Sequence, residues 1–129
     1  MKLVLQRRTE LALRAIRELH AYGGRLQGAE LAERIDTSSN FLTQVMAPLV
    51  EASWVRSGRG PNGGYSLADG VEDLSMLDLI QATEGSFPSN QCVLRDGKCS
   101  DGEICALHDS WSEVGVAIAQ RFRDIKVLL

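Results

Sequence analysis

Between Gly28 and Leu49 the chain carries two apolar faces of helical period separated by a short polar turn, and this arrangement restricts the fold more than any other stretch. Gly28, Leu31, Ala32 and Ile35 fall at positions i, i+3, i+4 and i+7 of one short helical face. Asp36-Thr37-Ser38-Ser39 follows, with side chains suited to a turn and to an N-cap. Leu42, Val45, Met46 and Leu49 then form a second helical face. Two helices joined by about four polar residues are what a helix-turn-helix requires. Pro48 lies inside the second of them. Proline removes a backbone donor and clashes with the preceding turn, so this helix is predicted to kink or restart there.

The flanking segments extend the pattern. Leu5, Ala12, Ala15, Ile16, Leu19 and Tyr22 predict a first helix from Leu5 to Tyr22, stopped by Gly23-Gly24. Trp54-Val55 and Tyr65-Ser66-Leu67 read as two short strands around SGRGPNGG, a loop rich in turn residues. A hairpin directly after a helix-turn-helix is a wing. Ser75 and Asp78 form a capping box with Leu74 and Leu79 as the hydrophobic staple, so a fourth helix starts there and ends near Gly85. Leu107, Trp111, Val114, Ile118, Phe122, Ile125 and Leu129 step by three or four, one apolar stripe predicting a final helix of about 35 Å. Such a rod outruns a domain of this size, so the chain is expected to dimerise with Trp111, Val114, Ile118, Phe122 and Ile125 in the seam. The expected fold is mostly α with a small β-hairpin: a winged helix-turn-helix over residues 1–70, then a capped helix, a cysteine loop and a long C-terminal dimerisation helix over 71–129. Both parts are expected to fold as one compact unit.

Composition permits this. A chain of 129 residues with 44% hydrophobic and 24% charged residues can bury one core without disulfides. Leu3-Val4-Leu5 is too short an apolar run for a signal peptide, and no segment approaches the roughly 18 to 20 apolar residues of a membrane span. The expected location is the cytoplasm. Net charge is −3, but residues 1–70 carry nine Lys/Arg against seven Asp/Glu, whereas residues 71–129 carry five against ten. A nucleic-acid partner would therefore engage the first half.

In a helix-turn-helix the opening residues of the second helix face base edges in the major groove. Here these are Ser38, Ser39, Asn40, Thr43 and Gln44, whose hydroxyls and amides suit phosphates or bases. The same serines also serve as plain helix caps. Arg56 and Arg59 sit in the glycine-rich wing, where an arginine at the tip can enter a narrow minor groove. Arg7 and Arg8 on the first helix are candidate phosphate contacts, while Arg14 and Arg17 read as a solvated face. The segment AELAERIDTSSNFLTQVMAPLVEASWVRSGRGPNGGYSLA resembles the winged-helix part of the bacterial iron-sulfur regulator family typified by IscR and NsrR. RGPNGGYSLA is its most specific stretch, and the resemblance runs through a three-cysteine loop and a long final helix. It implies a homodimeric transcription factor that binds a palindromic operator in double-stranded DNA, in many members under the control of an iron-sulfur cluster.

All three cysteines lie in QCVLRDGKCSDGEICALH, spaced Cys92-x6-Cys99-x5-Cys105-x2-His108. In a reducing compartment such a cluster reads as metal-binding or redox-reactive rather than as a disulfide framework. Thiolates suit iron-sulfur iron and zinc, and a cluster ordinarily takes four protein ligands. His108, three residues after Cys105 and near the start of the final helix, is one candidate for the fourth. The IscR-like branch implies this set for a 2Fe-2S cluster. The other candidate is Glu10, at the position where the NsrR-like branch implies a carboxylate given by the partner subunit to a 4Fe-4S cluster. His20 reads as structural. A Cys3His zinc site, a thiol redox switch without a cluster and, more remotely, a small electron carrier remain alternatives. No nucleophile-base pair, phosphate loop or paired carboxylate setting points to an enzyme.

Overall fold

The computed structural model describes residues 4–88, 91–95, 97–99 and 103–128. Leu3 and Leu129, which belonged to the expected N-terminal run and C-terminal stripe, lie outside them. The order of elements is α1 (Arg7–Tyr22), α2 (Gly28–Arg34), α3 (Ser39–Glu51), β1 (Val55–Gly58), β2 (Gly64–Leu67), a 3-10 turn at Val71–Asp73, α4 (Met76–Glu84) and α5 (His108–Arg123). The fold is mostly helical with one small antiparallel hairpin, as the periodicity predicts. Among the described residues no helix is long and apolar enough to cross a membrane.

Helix α1 is the centre of the core. Leu11, Ala12, Ala15, Ile16 and Leu19 are buried along one face, and Gly23 ends the helix in the left-handed region at φ 80°, its N–H donating to the Leu19 carbonyl at 3.0 Å. Leu31 and Ala32 from α2 join this core, as do Leu42, Val45, Met46 and Leu49 from α3 and Leu79 from α4. Leu5 and Tyr22, placed on the apolar face by spacing, are instead exposed at 46% and 50%. Leu5 precedes the first helical turn, and Tyr22 lies under the Arg34 guanidinium, 5.0 Å from its ring centroid, rather than in the core.

Ser38 caps α3 by accepting from the Phe41 N–H at 3.1 Å. Contrary to the expectation of a restart at Pro48, α3 runs on through it to Glu51. Proline costs the helix one donor, but Leu49 directly after it is fully buried, and packing of that last turn outweighs a single lost bond. The capping box forms in full: Ser75 Oγ accepts from the Asp78 N–H at 3.1 Å, and the Asp78 carboxylate accepts from the Ser75 N–H at 3.0 Å. Both staple residues, Leu74 and Leu79, are buried.

The hairpin pairs Val55 with Leu67 and Gly58 with Gly64, and its base is fixed by the α1–α2 linker. Leu26 and Tyr65 exchange both backbone hydrogen bonds, at 3.0 and 2.7 Å. Gly64 must be glycine here: it has φ 111°, and a Cβ would collide with the Leu26 carbonyl. At the tip, Gln27 Nε2 donates to the Pro61 carbonyl at 3.0 Å, bracing the loop from behind.

The C-terminal helix is shorter than predicted. The stripe continues in spacing to Ile125, yet α5 stops at Arg123 after 16 residues, about 24 Å. Residues 125–127 leave the helix axis to lie beside residues 74–76: Met76 N–H donates to the Ile125 carbonyl at 2.7 Å and Val127 N–H to the Leu74 carbonyl at 2.9 Å. Val127 is thereby fully buried, and Arg17 Nε donates to its carbonyl at 3.0 Å. Burial of Val127 and three hydrogen bonds outweigh one further helical turn in solvent. Ile125 is consequently not on the helical stripe.

Because Leu49 is fully buried between helix and core, Leu49→Ala should lower unfolding free energy by about 2–5 kcal/mol with the m-value unchanged, measured by urea titration. A cost below about 1 kcal/mol would mean the site can collapse.

Candidate nucleic-acid interface and metal centre

The buried face of α3 leaves its opposite face free. Ser39, Asn40, Thr43 and Gln44 are all exposed on the first half of the helix, opposite Leu42, Val45 and Met46. Ser38 is exposed as well, but its hydroxyl already accepts from the Phe41 N–H, so the capping role is occupied. Thr43 Oγ1 donates to the Ser39 carbonyl at 3.1 Å, leaving Asn40 and Gln44 as the amides that project without such a bond to the helix.

In the wing, Arg59 is exposed beside a shallow cleft lined by Gly28, Ser57, Gly58, Gly64 and Tyr65. Gly63 makes the tip compact, since a Cβ there would stand 2.6 Å from the Gly58 carbonyl oxygen. Arg56 is exposed and pairs at 3.7 Å with a still more open Asp69, a contact worth little in water. On α1, Arg7 pairs with Glu10 at 2.7 Å and Arg8 is exposed. The basic residues of the wing and of the start of α1 therefore all reach solvent.

The cysteine loop connects α4 to α5. Gln91 bridges Lys98, the Cys92 N–H donates to the Gly97 carbonyl at 2.8 Å, and Gly97 takes φ 88°, so Cys92 and Cys99 flank one tight turn. Cys105 comes from the segment leading into α5. The sulfurs of Cys92, Cys99 and Cys105 all lie within 4.8 Å of one another, each half-buried and each a free thiol.

Backbone N–H groups are turned onto the first of these sulfurs. The Leu94 N–H donates to Cys92 Sγ at 3.4 Å, and that bond, with a second from the Arg95 N–H and the neighbouring thiols, pulls the Cys92 thiol down to about 6. Burial pushes the Cys105 thiol up instead. The Cys92 thiolate is therefore ready at neutral pH.

The donor set fits a thiolate-bound metal group. Three free soft ligands converge, none is spent on a disulfide, and half-burial limits water without sealing the site. The expected fourth ligands are not gathered with them. His108 is half-buried at the first position of α5, its N–H donating to the Cys105 carbonyl at 3.1 Å, but it does not join the group of three. Glu10 is exposed and held by Arg7.

Spacing gave no sign of two other contributors. Glu84, the last residue of α4, accepts from the Gln6 N–H at 3.1 Å and from the Thr9 hydroxyl, and Thr9 shares a buried hydrogen bond with Thr83 at 2.7 Å. This network joins the start of the cysteine loop to the N-terminus of α1, where a carboxylate suits the helix dipole. Arg95 reaches across the loop, its Nη2 donating to the Glu103 carbonyl at 2.6 Å. No periodicity marks side chains that act over such distances.

Of the dimer-seam candidates, Trp111, Ile118 and Phe122 are half-buried within the chain, while Val114 and Ile125 are exposed. Phe122 stacks on Phe87 at 6.4 Å between centroids, and Gly115 lets Pro88 approach α5 closely. Ala119 is the one fully buried residue among those described on this helix.

Comparison with known proteins places this fold. The model of the Rrf2 family, described as iron-dependent transcriptional regulators, matches residues 5–128. The chain belongs to that family. Among relatives, the HTH-type transcriptional regulator IscR of Sodalis glossinidius is 31% identical over 107 residues, 83% of this chain and 64% of that protein. IscR of Aliivibrio salmonicida is 32% identical over 101 residues, 78% of this chain and 60% of its own length. The chain thus spans somewhat less than two thirds of these relatives. Among solved structures, T. potens IscR superposes with a TM-score of 0.72 at 27% identity, covering 98% of this chain and 85% of that one. CymR of B. subtilis, titled the global cysteine regulator, reaches 0.74 at 21% identity over 98% of this chain and 94% of its own, which shows the shared fold alone. The relatives are named as transcriptional regulators, in line with the absence of enzyme motifs in the sequence.

In metal-free protein, iodoacetamide at pH 7 should modify Cys92 well before Cys105, and the Cys92 rate should fall as pH drops through about 6, where its thiolate takes up a proton. Peptide mapping gives the order. Cys105 reacting first would contradict the role given to the Leu94 and Arg95 amides.

Proposed function

We propose that this protein is a homodimeric DNA-binding transcriptional regulator whose affinity for a palindromic operator depends on an iron-sulfur cluster held by Cys92, Cys99 and Cys105. The observation that carries this reading is the convergence of three free thiols within 4.8 Å on a loop attached to a winged helix. The iron-dependent description of the family supports it independently. His108 is the fourth ligand on this account, since it follows Cys105 by three residues and its N–H donates to the Cys105 carbonyl, whereas Glu10 would have to come from a partner subunit. Bound there, the cluster would supply a centre that gains or loses electrons and is open to attack by oxidants or nitric oxide.

Residues of this chain supply the coupling. Ligation of the three thiols would fix the 91–99 turn against the 103–108 segment and so fix where α5 starts. The loop begins at Glu84, whose carboxylate holds the α1 N-terminus through Gln6 and Thr9. Helix α1 in turn packs on α3, which presents Asn40 and Gln44. A second copy is the partner proposed for α5: Val114 and Val116 stay exposed at 44% and 48%, and within the chain the helix packs mainly on α4. Residues 1–70 then form the reading head and residues 71–129 the sensing half, acting in the cytoplasm, where thiols stay reduced.

In the major groove, Ser39, Asn40, Thr43 and Gln44 would meet bases or phosphates, with Arg59 at the wing tip in the minor groove and Arg7, Arg8 and Arg56 on the backbone. Replacing Arg59 by Ala should weaken binding to a duplex selected from a randomised pool by about tenfold and reduce the salt dependence by about one ion. Unchanged affinity would remove the wing from the interface.

Protein purified without oxygen should contain iron and labile sulfide in equal amounts and show broad absorption from the near-ultraviolet into the red. His108→Ala should lose the cluster, and Glu10→Ala should keep it. Zinc in its place would argue for a closed structural site, and loss of the cluster only in Glu10→Ala would move the fourth ligand to the partner subunit.

A further inference from the structure

Cys92 and Cys99 belong to one turn, held by the Gln91–Lys98 bridge and the bond from Cys92 N–H to the Gly97 carbonyl, whereas Cys105 arrives on a separate segment without regular secondary structure. The three sulfurs lie within 4.8 Å of one another, so any two that ionise to bind a metal repel, which an open loop would relieve by spreading. The loop therefore needs a tether between its two halves and a cation beside the sulfurs.

Arg95 meets both needs. It sits inside the turn, three residues after Cys92, and its Nη2 crosses to the other half to donate to the Glu103 carbonyl at 2.6 Å, two residues before Cys105. The same guanidinium stands within hydrogen-bonding reach of the Cys92 sulfur and beside that of Cys99. A planar fork with donors on several edges serves a carbonyl on one side and sulfur on the other in a fixed geometry; an ammonium returns the charge without that geometry.

We propose that Arg95 is a positioning residue for the three-thiolate site, tying the Cys92–Cys99 turn to the segment that carries Cys105 and setting a fixed cation against the sulfurs. This rests on the reading of the cysteines as metal ligands. Arg95 touches the ligands and not the metal, so it belongs with the outer groups that orient a metal's donors and tune how strongly they bind.

The test is titration of the metal-free protein with cobalt(II), read by the thiolate-to-cobalt charge-transfer band in the near-ultraviolet. Arg95→Met should weaken cobalt affinity by about 10- to 100-fold while leaving the thermal midpoint of the metal-free protein unchanged, because the side chain lies on an exposed loop. Arg95→Lys should recover part of the loss by returning the charge. Equal affinity in wild type and Arg95→Met overturns the proposal, as does Arg95→Lys binding no better than Arg95→Met. A wild-type chain that gives no thiolate-to-cobalt band overturns the metal reading itself and the Arg95 role with it, so the two failures are told apart by the wild-type titration alone.

Discussion

The packing of helix α1 is the constraint on which the rest of the structure depends. Its buried face, Leu11 through Leu19, is shared by α2 and α3 and by α4, so one apolar stripe holds together the winged helix and the helix from which the cysteine loop leaves. A change at the cysteine loop that shifts α4 must be accommodated by α1, and closely packed cores respond to such shifts by repacking rather than by gradual yielding.

Polar contacts refine what the apolar core provides. The Ser75–Asp78 box, the Glu84 carboxylate at the start of α1 and the pairing of residues 125–127 with 74–76 all gather near α4. Each satisfies backbone donors that would otherwise be left at a helix end or along an unpaired segment. The cysteine loop leaves from the far end of this braced helix and returns as α5, which is anchored after Arg123 by the same segment pairing. Both ends of the 71–129 half are thus fixed.

Much of this was legible in sequence because it depends on short-range pattern. Leu31, Ala32, Leu42, Val45, Met46 and Leu49 announced their helices by period, Ser75 and Asp78 announced a cap, and Gly63-Gly64 marked a turn that only glycine fits. The failures share a cause. At Pro48 the local rule was right about the missing donor and wrong about the outcome, because burial of Leu49 decided it. At Ile125 the spacing continued while the helix did not, because Val127 had a place in the core that no helical register could reach. For the site, spacing identified the three cysteines but could not set Arg95 across the loop or Glu84 on α1. Those contacts join residues 8 and 78 positions apart through side chains.

The central claim is that metal ligation at the cysteine loop and DNA affinity at α3 and the wing are linked through α1 and α4. The most direct measurement is the dissociation constant for one selected duplex, at one salt concentration, of the same preparation before and after anaerobic removal of its iron. A coupling of about 1 to 3 kcal/mol predicts a ratio of roughly 5 to 150 between the two forms. Equal dissociation constants, with Asn40 and Arg59 still required for binding, would show that the reading head works without reference to the cysteines.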